Sequence, residues 1–236
     1  MIAFLKLVIY NPLYNILILI LNIPYVDVGI AVVLLTLLVK VVLYPLSKKA
    51  TTTQIVMKEK EKELKEIREK YKDKQEQAVK TLEFYKTNKI NPFSSILTIL
   101  IQIPIIYALY HIFLRSGLPL IQTDLVYSFI DIPNAVSMKF LGFWDISKKS
   151  IFLALLAAVT TFFQLHLSSK TTIKTNTDTK DLSSMMMTQM KYTFPIVVFF
   201  ISWSISGVIA LYWFVSNILG IIQDKIIKNN LEKSKN

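Results

Sequence analysis

Long apolar runs alternate with charged stretches along this chain, and the pattern predicts an all-α membrane protein with five spans. A helix of ~20 apolar residues covers the ~30 Å hydrocarbon core of a bilayer. Three runs of about that length are separated by polar stretches. A fourth run, 192–222, is divided near its middle by Ser204, Ser206 and Gly207, which predicts a tight hairpin of two short spans. The predicted segments in order are an N-terminal segment (1–27), the first span (28–46), a charged segment (47–91), the second span (92–115), a loop (116–149), the third span (150–168), a polar loop (169–191), the fourth span (192–204), the fifth span (207–223) and a tail (224–236).

The N-terminal segment has helical periodicity with interruptions. Asn11-Pro12, Asn15 and Asn22 break its apolar pattern, so the segment either lies in the membrane interface as an amphipathic helix or crosses as a short extra span. The interruptions favour the interfacial helix. The apolar residues that recur at helical spacing are Leu5, Val8, Ile9, Leu13, Ile16 and Ile20.

The charged segment 47–91 contains no Gly and only polar or helix-forming stretches, and it predicts a helical hairpin that turns near Asp73. Glu-to-Lys pairs four residues apart, such as Glu61–Lys65, support its helices. The hairpin either only connects two spans or contacts anionic lipid or ribosomal RNA. Its two apolar seams are predicted to be Leu64, Ile67 and Tyr71 on one helix, and Ala78, Leu82 and Tyr85 on the other.

Composition and charge narrow the class of protein. Of 236 residues 53% are hydrophobic, which is too many for an ordinary soluble domain. The net charge is +11, and thirteen of the 27 Lys and Arg residues lie between Lys48 and Lys89. In a membrane protein such a cluster marks the cytoplasmic side, so the predicted orientation is N-out/C-in, and specific DNA binding is not expected.

The absence of cysteine excludes disulfides and thiolate metal sites, and no nucleotide-binding glycine motif occurs. We therefore expect no cofactor, no ATP hydrolysis and no enzymatic activity.

Lys40 lies inside the first span, which is otherwise strongly apolar. A lysine within a span costs roughly 2.5–3.5 kcal/mol, whereas each of the thirteen Leu, Ile and Val residues of 28–46 contributes about 0.3–0.6 kcal/mol in favour of insertion. The span is therefore predicted to insert despite its charge. Gly29, Thr36 and Ser47 share the helical face of Lys40, and together they form one small or polar stripe.

No predicted span contains Asp or Glu, so the sequence offers Lys40 no counter-ion within the membrane. Buried charges are normally paired, and charged residues within spans commonly mark a pathway or a binding site. One interpretation is that Lys40 extends to the interface or loses its proton. The other is that it lies in a hydrated cavity and attracts an acidic group from outside the protein.

Polar residues also mark three further spans. Interhelical hydrogen bonding explains any one of these stripes, at roughly 0.6–2 kcal/mol per contact in a membrane. Together with the unpaired Lys40 they favour a hydrophilic groove. The pairs on each span are Lys40 with Thr36, Gln102 with Thr98, Gln164 with Thr160, and Trp213 with Asn217.

Several stretches in combination resemble the YidC-type membrane protein insertases. These are GIAVVLLTLLVKVVLYPL, INPFSSILTILIQIPIIYALY, FFQ in the third span, and MKYTFPIVV with GVIALYWFVSNILGIIQ. The resemblance implies five spans around a hydrophilic groove that is open to the cytoplasm and to lipid. It also implies that a basic residue, a glutamine and a tryptophan line that groove, which Lys40, Gln164 and Trp213 match. Lysine stands where the family usually has arginine, so the charge is kept but the rigid five-donor guanidinium is lost.

The resemblance further implies a function and a location. The chain would be a multi-pass protein of the bacterial cytoplasmic (inner) membrane that inserts nascent membrane proteins into the lipid bilayer. The ribosome and the Sec translocon are possible partners in the family. Two other classes remain: an assembly chaperone without autonomous insertion, and a small-solute transporter, which usually shows inverted repeats that this sequence lacks.

Overall fold

The computed structural model describes residues 5–88, 90–91, 94–115, 118–169 and 182–233, and these residues are mostly helical, as predicted. A π-helical turn, Lys6–Tyr10, precedes the first α-helix, and another, His111–Arg115, follows the sixth. The described elements are α1 (Asn11–Leu21), α2 (Val28–Val42), α3 (Tyr44–Glu59), α4 (Glu61–Lys70), α5 (Lys74–Thr87), α6 (Ser94–Tyr110), the short strands β1 (Lys139–Phe140) and β2 (Trp144–Asp145), α7 (Ile151–Ser169), α8 (Leu182–Ser204) and α9 (Gly207–Lys233).

Two of the described helices are long and apolar enough to cross a membrane, Ile151–Ser168 and Gly207–Lys233. A third span is present if α2 and α3 together count as one bent span. Lys6–Leu21 and Gln102–Phe113 are shorter apolar helices. The structure therefore supports an all-α membrane protein, and the arrangement of five spans remains a prediction.

The first predicted span, 28–46, is not one straight helix. Helix α2 ends at Val42, and α3 begins at Tyr44 after a bend of 62°. The cause is Pro45, which has no N–H to donate and whose ring would meet the carbonyl of Val41 in a continuous helix. Proline is well accommodated in the first turn of a new helix, which is where α3 places it.

The N-terminal helix packs into the main hydrophobic core, and Leu13, Ile16 and Ile20 of the predicted apolar positions take part in that packing. Tyr14, Leu17 and Ile18 are fully buried, whereas Val8, on the predicted apolar face, is half exposed. Asn15 does not interrupt the helix. Its amide donates to the Leu125 carbonyl over 2.9 Å and accepts from the backbone N–H of residue 127 over 2.7 Å. The helix is therefore joined to the loop 118–149; its position relative to a membrane remains a prediction.

Helices α4 and α5 form the predicted hairpin. The Asp73 carboxylate accepts hydrogen bonds from the first backbone N–H groups of α5, which caps the helix where the turn was predicted. Leu64 is buried against Phe84 and Tyr85, but Leu82 is 56% exposed, so the second predicted seam is wrong at that residue. The helix is rotated to bury Phe84, because a larger apolar side chain gains more from burial.

The last two helices are longer than the predicted short spans, because α8 starts at Leu182 and α9 continues to Lys233. Residues 170–181, most of the predicted polar loop, lie outside the described part of the chain. Both helices pack chiefly against α7 rather than against each other, so they are not a tight hairpin. The first N–H groups of α9 donate to loop carbonyls, Gly207 to Lys148 over 2.8 Å and Val208 to Ile146 over 3.0 Å.

The loop 118–149 covers the start of α2. Asp27 caps α2 by accepting from the Ile30 N–H over 2.9 Å, and its other oxygen accepts from the Leu141 N–H over 2.9 Å. Phe140 packs directly on Gly29, where a Cβ atom would lie 2.6 Å from the Phe140 Cγ. Gly29 therefore serves this close contact with the loop.

Candidate functional site

A polar cavity of about 120 Å³ lies among the described apolar helices, with lining residues from α2, α3, α6, α7, α8 and α9. A polar cavity of that volume has room for several water molecules. Of the six predicted groove residues, five line it: Lys40, Gln102, Gln164, Trp213 and Asn217. Their role in substrate binding remains a prediction.

Thr36 is the predicted groove residue that the structure places elsewhere. Its side chain is only 1% exposed, it is not among the residues that line the cavity, and its hydroxyl donates to the Val32 carbonyl over 2.6 Å. A hydroxyl bonded to its own helix four residues back has no hydrogen left for a ligand. Ser47, from the same predicted stripe, does line the cavity beside Lys40.

Gln102 is held by the last helix. Its amide nitrogen donates to the hydroxyl of Tyr212 and, over 3.5 Å, to that of Ser216. Tyr212 and Ser216 were not predicted as site residues, although they are four residues apart and so share one face of α9. The side chain of Thr98, the predicted companion of Gln102, lies outside the described residues.

Asn217 joins α9 to α7. Its amide nitrogen lies 2.7 Å from the Thr161 hydroxyl, 3.1 Å from the Thr160 hydroxyl and 3.2 Å from the Ala157 carbonyl. Thr160 was predicted to accompany Gln164, but it is Thr161 that lines the cavity. This network fixes the two helices that form one wall.

Gly220 allows Lys40 and Gln164 to approach the same point of α9. A Cβ atom at this glycine would lie 3.2 Å from Cδ of Gln164 and 3.6 Å from Nζ of Lys40. The backbone carbonyl of Lys40 also accepts from the Gln223 amide over 3.4 Å. A larger residue at this position would displace the Gln164 amide, so the glycine sets the shape of the cavity.

The predicted spans contain no acidic residue, but Asp224, directly after the fifth predicted span, lines the same cavity as Lys40. Thr51 of α3 donates to one Asp224 oxygen over 2.7 Å, and Ser168 of α7 donates to the other over 3.2 Å. Asp224 was not grouped with Lys40 because the fifth predicted span ends at residue 223, whereas the helix α9 continues to Lys233. Within the described residues no cluster of three His, Cys, Asp or Glu side chains is placed to hold a metal ion.

Comparison with known proteins identifies the family. The sequence model of the family described as 60Kd inner membrane protein matches residues 11–235, which is nearly the whole chain. The chain belongs to this family. A protein of Fusobacterium nucleatum subsp. nucleatum, named membrane protein insertase YidC, is 33% identical to it over 223 residues, which cover 93% of this chain and 96% of that protein.

Further YidC relatives carry the same name but are longer. The protein of Blochmanniella floridana is 32% identical over 95% of this chain, and that of Wolinella succinogenes is 32% identical over 88%. The chain spans 36% and 34% of the lengths of these two proteins. The predicted membership of the YidC family is confirmed, and together with the apolar helices it supports a multi-pass inner membrane protein.

Proposed function

We propose that this chain is a membrane protein insertase that receives hydrophobic segments of newly made proteins in its polar cavity and passes them into the lipid bilayer. The observation that carries the proposal is a polar cavity with a lysine among apolar helices, in a chain similar over nearly its full length to a protein named membrane protein insertase. The cavity side chains would act by lowering the cost of moving polar groups through an apolar medium.

Insertion by this route needs no ATP hydrolysis. An unpaired backbone or side-chain polar group costs several kcal/mol in hydrocarbon, and this cost opposes the crossing of a polar tail. Water in the cavity and the polar groups around it, such as Gln54 and Gln164, would offer that tail hydrogen bonds. The driving force would come from the client's own apolar segment of ~20 residues, each contributing about 0.3–0.6 kcal/mol on entering lipid.

Lys40 would supply attraction for acidic tails. A charge acts more strongly among apolar helices than in water, because the effective dielectric constant is lower there. We place α2, α6, α7, α8 and α9 across the membrane, with the basic α4–α5 hairpin and the end of α9 in the cytoplasm, which gives the N-out/C-in orientation. On that side the hairpin would meet emerging chains, anionic lipid, the ribosome or the Sec translocon.

The test is insertion of a single-span client with a short acidic N-terminal tail into liposomes that contain only the purified protein. Protection of the tail from added protease is compared for the wild type, Lys40→Ala and Lys40→Arg. Lys233→Ala is the matched control, because it removes a lysine from the exposed surface of α9 away from the cavity.

We expect protection with the wild type, Lys40→Arg and Lys233→Ala, and a loss of at least several-fold with Lys40→Ala. Equal protection by the wild type and Lys40→Ala would keep the insertase but refute the role of the charge. Protection no better than in empty liposomes would refute autonomous insertion and would favour an assembly chaperone or a translocon accessory. Solute uptake by the same liposomes would instead indicate a transporter.

A further inference from the structure

The cavity contains a fixed negative charge as well as Lys40. Asp224 is held by two hydroxyls from two different helices, Thr51 on α3 and Ser168 on α7, one on each carboxylate oxygen. A carboxylate has about four lone-pair sites, so each oxygen keeps acceptor capacity beyond these two bonds, and Asp224 lines the cavity. The ammonium group of Lys40 lines the same cavity, and the described residues show no salt bridge between it and this carboxylate.

This separation has a consequence for any charged group that enters. A free Asp224 side chain would gain from direct contact with Lys40, but the hydroxyls of Thr51 and Ser168 hold it back. The ammonium group therefore stays available, while the carboxylate offsets part of its field. An entering acidic group is attracted by Lys40 and repelled by Asp224, and an entering basic group meets the opposite pair of forces.

Resting on the function proposed above, we propose that Asp224 is a specificity-determining residue that sets how strongly the cavity prefers acidic over basic client segments. With Lys40 alone the cavity would favour acidic segments strongly and would release them slowly, because a site that binds tightly also holds its ligand. With Asp224 in place part of the attraction of Lys40 is offset, so the cavity prefers acidic segments less strongly, also admits basic segments and releases both. Thr51 and Ser168 are positioning residues for this carboxylate.

The experiment uses one client in three versions, whose N-terminal tails are acidic, neutral and basic but equal in length. Insertion of each is measured in liposomes for the wild type, Asp224→Asn, Lys40→Ala and the double variant. Asparagine keeps an oxygen that can accept from one hydroxyl, so this change removes the charge with little change of shape. Glu232→Gln is the matched control, since it removes one exposed carboxylate from the same helix outside the cavity.

We expect the ratio of acidic to basic client inserted to rise roughly tenfold in Asp224→Asn, which corresponds to ~1.4 kcal/mol. The ratio should fall below the wild-type value in Lys40→Ala, return near it in the double variant and stay unchanged in Glu232→Gln. Thr51→Val together with Ser168→Ala frees the carboxylate to approach Lys40, so the ratio should fall, opposite in direction to Asp224→Asn.

An unchanged ratio in Asp224→Asn, or an equal loss of all three clients, would overturn the inference, because Asp224 would then only link helices. If Asp224→Asn does not fold, the pair Thr51→Val and Ser168→Ala decides: a ratio that does not fall refutes the inference. Failure of the wild type to insert any of the three clients above empty liposomes would refute the proposed function instead.

Discussion

The network around Asn217 should be one of the stronger polar contributions to stability in this protein. The Asn217 amide has two hydrogens but lies within 3.2 Å of three acceptors on α7, so two of these contacts at most are full hydrogen bonds. An interhelical hydrogen bond in a membrane contributes roughly 0.6–1.7 kcal/mol. Replacing Asn217 by leucine, of similar volume, should therefore cost roughly 1–3 kcal/mol of the free energy of unfolding.

The assay is reversible unfolding in mixed micelles by titration with a denaturing detergent, followed by tryptophan fluorescence. Asn229→Leu is the matched control, because it makes the same chemical change on the exposed surface of the same helix. The control should change the free energy of unfolding by less than about 0.5 kcal/mol. A double-mutant cycle with Thr161→Val should show a coupling energy above about 0.5 kcal/mol, since the two residues are 2.7 Å apart.

Two results would refute this reasoning. Asn217→Leu could unfold at the same detergent concentration as Asn229→Leu, which would mean that the three contacts contribute nothing net. Alternatively, the losses in Asn217→Leu and Thr161→Val could simply add, which would place the effect of Asn217 somewhere other than the bond to α7.

Three further changes have expected outcomes of their own. Leu64→Ala should lower the free energy of unfolding of the hairpin by roughly 2–4 kcal/mol, and Leu82→Ala by less than about 0.5 kcal/mol, because only Leu64 is buried. Hydrogen exchange on the full chain measures both values. Gly29→Ala should lower the free energy of unfolding in detergent by roughly 1–3 kcal/mol, because its methyl group collides with Phe140. Adding Phe140→Ala should relieve part of that loss. If the losses of the two single variants simply add, the contact is contradicted. Gly220→Ala should leave the free energy of unfolding unchanged or slightly raised, because the Gln164 amide that the new methyl group meets ends a flexible side chain and alanine favours the helix. Client insertion should fall. A large loss of stability would contradict this prediction.

The convergence of the cavity residues could be predicted because two kinds of information agreed. Helical spacing placed Lys40, Gln164 and Asn217 on polar stripes, and the resemblance to a family implied that those stripes share one groove. The cavity brings them together. Thr36 was predicted to line the groove but does not line the cavity, because spacing alone does not show whether a hydroxyl points to a neighbour or bonds to its own helix.

Other features depend on contacts between distant parts of the chain, which no local pattern contains. Gly29 lies on the same helical face as Lys40, but its lack of a side chain allows the ring of Phe140, more than a hundred residues away, to pack on the helix. Asp224 was treated as the end of a span because a charged residue ends an apolar run, although its helix continues. The bend before Pro45 was missed although the proline is visible in the sequence, because the apolar run continues through it to Leu46 and predicts one span.

The bend at Leu43 connects the α4–α5 hairpin to the cavity through one helix, α3. Helix α3 has 16 residues, so it is ~24 Å long, and the hairpin is attached at its far end. Thr51 lies about halfway along it and lines the cavity, while Lys40 lies on the other side of the bend. A rotation of α3 by ~10° about Leu43 moves the base of the hairpin by ~4 Å but Thr51 by only ~2 Å. A displacement of the hairpin would therefore reach the hydrogen bond between Thr51 and Asp224 at about half its size.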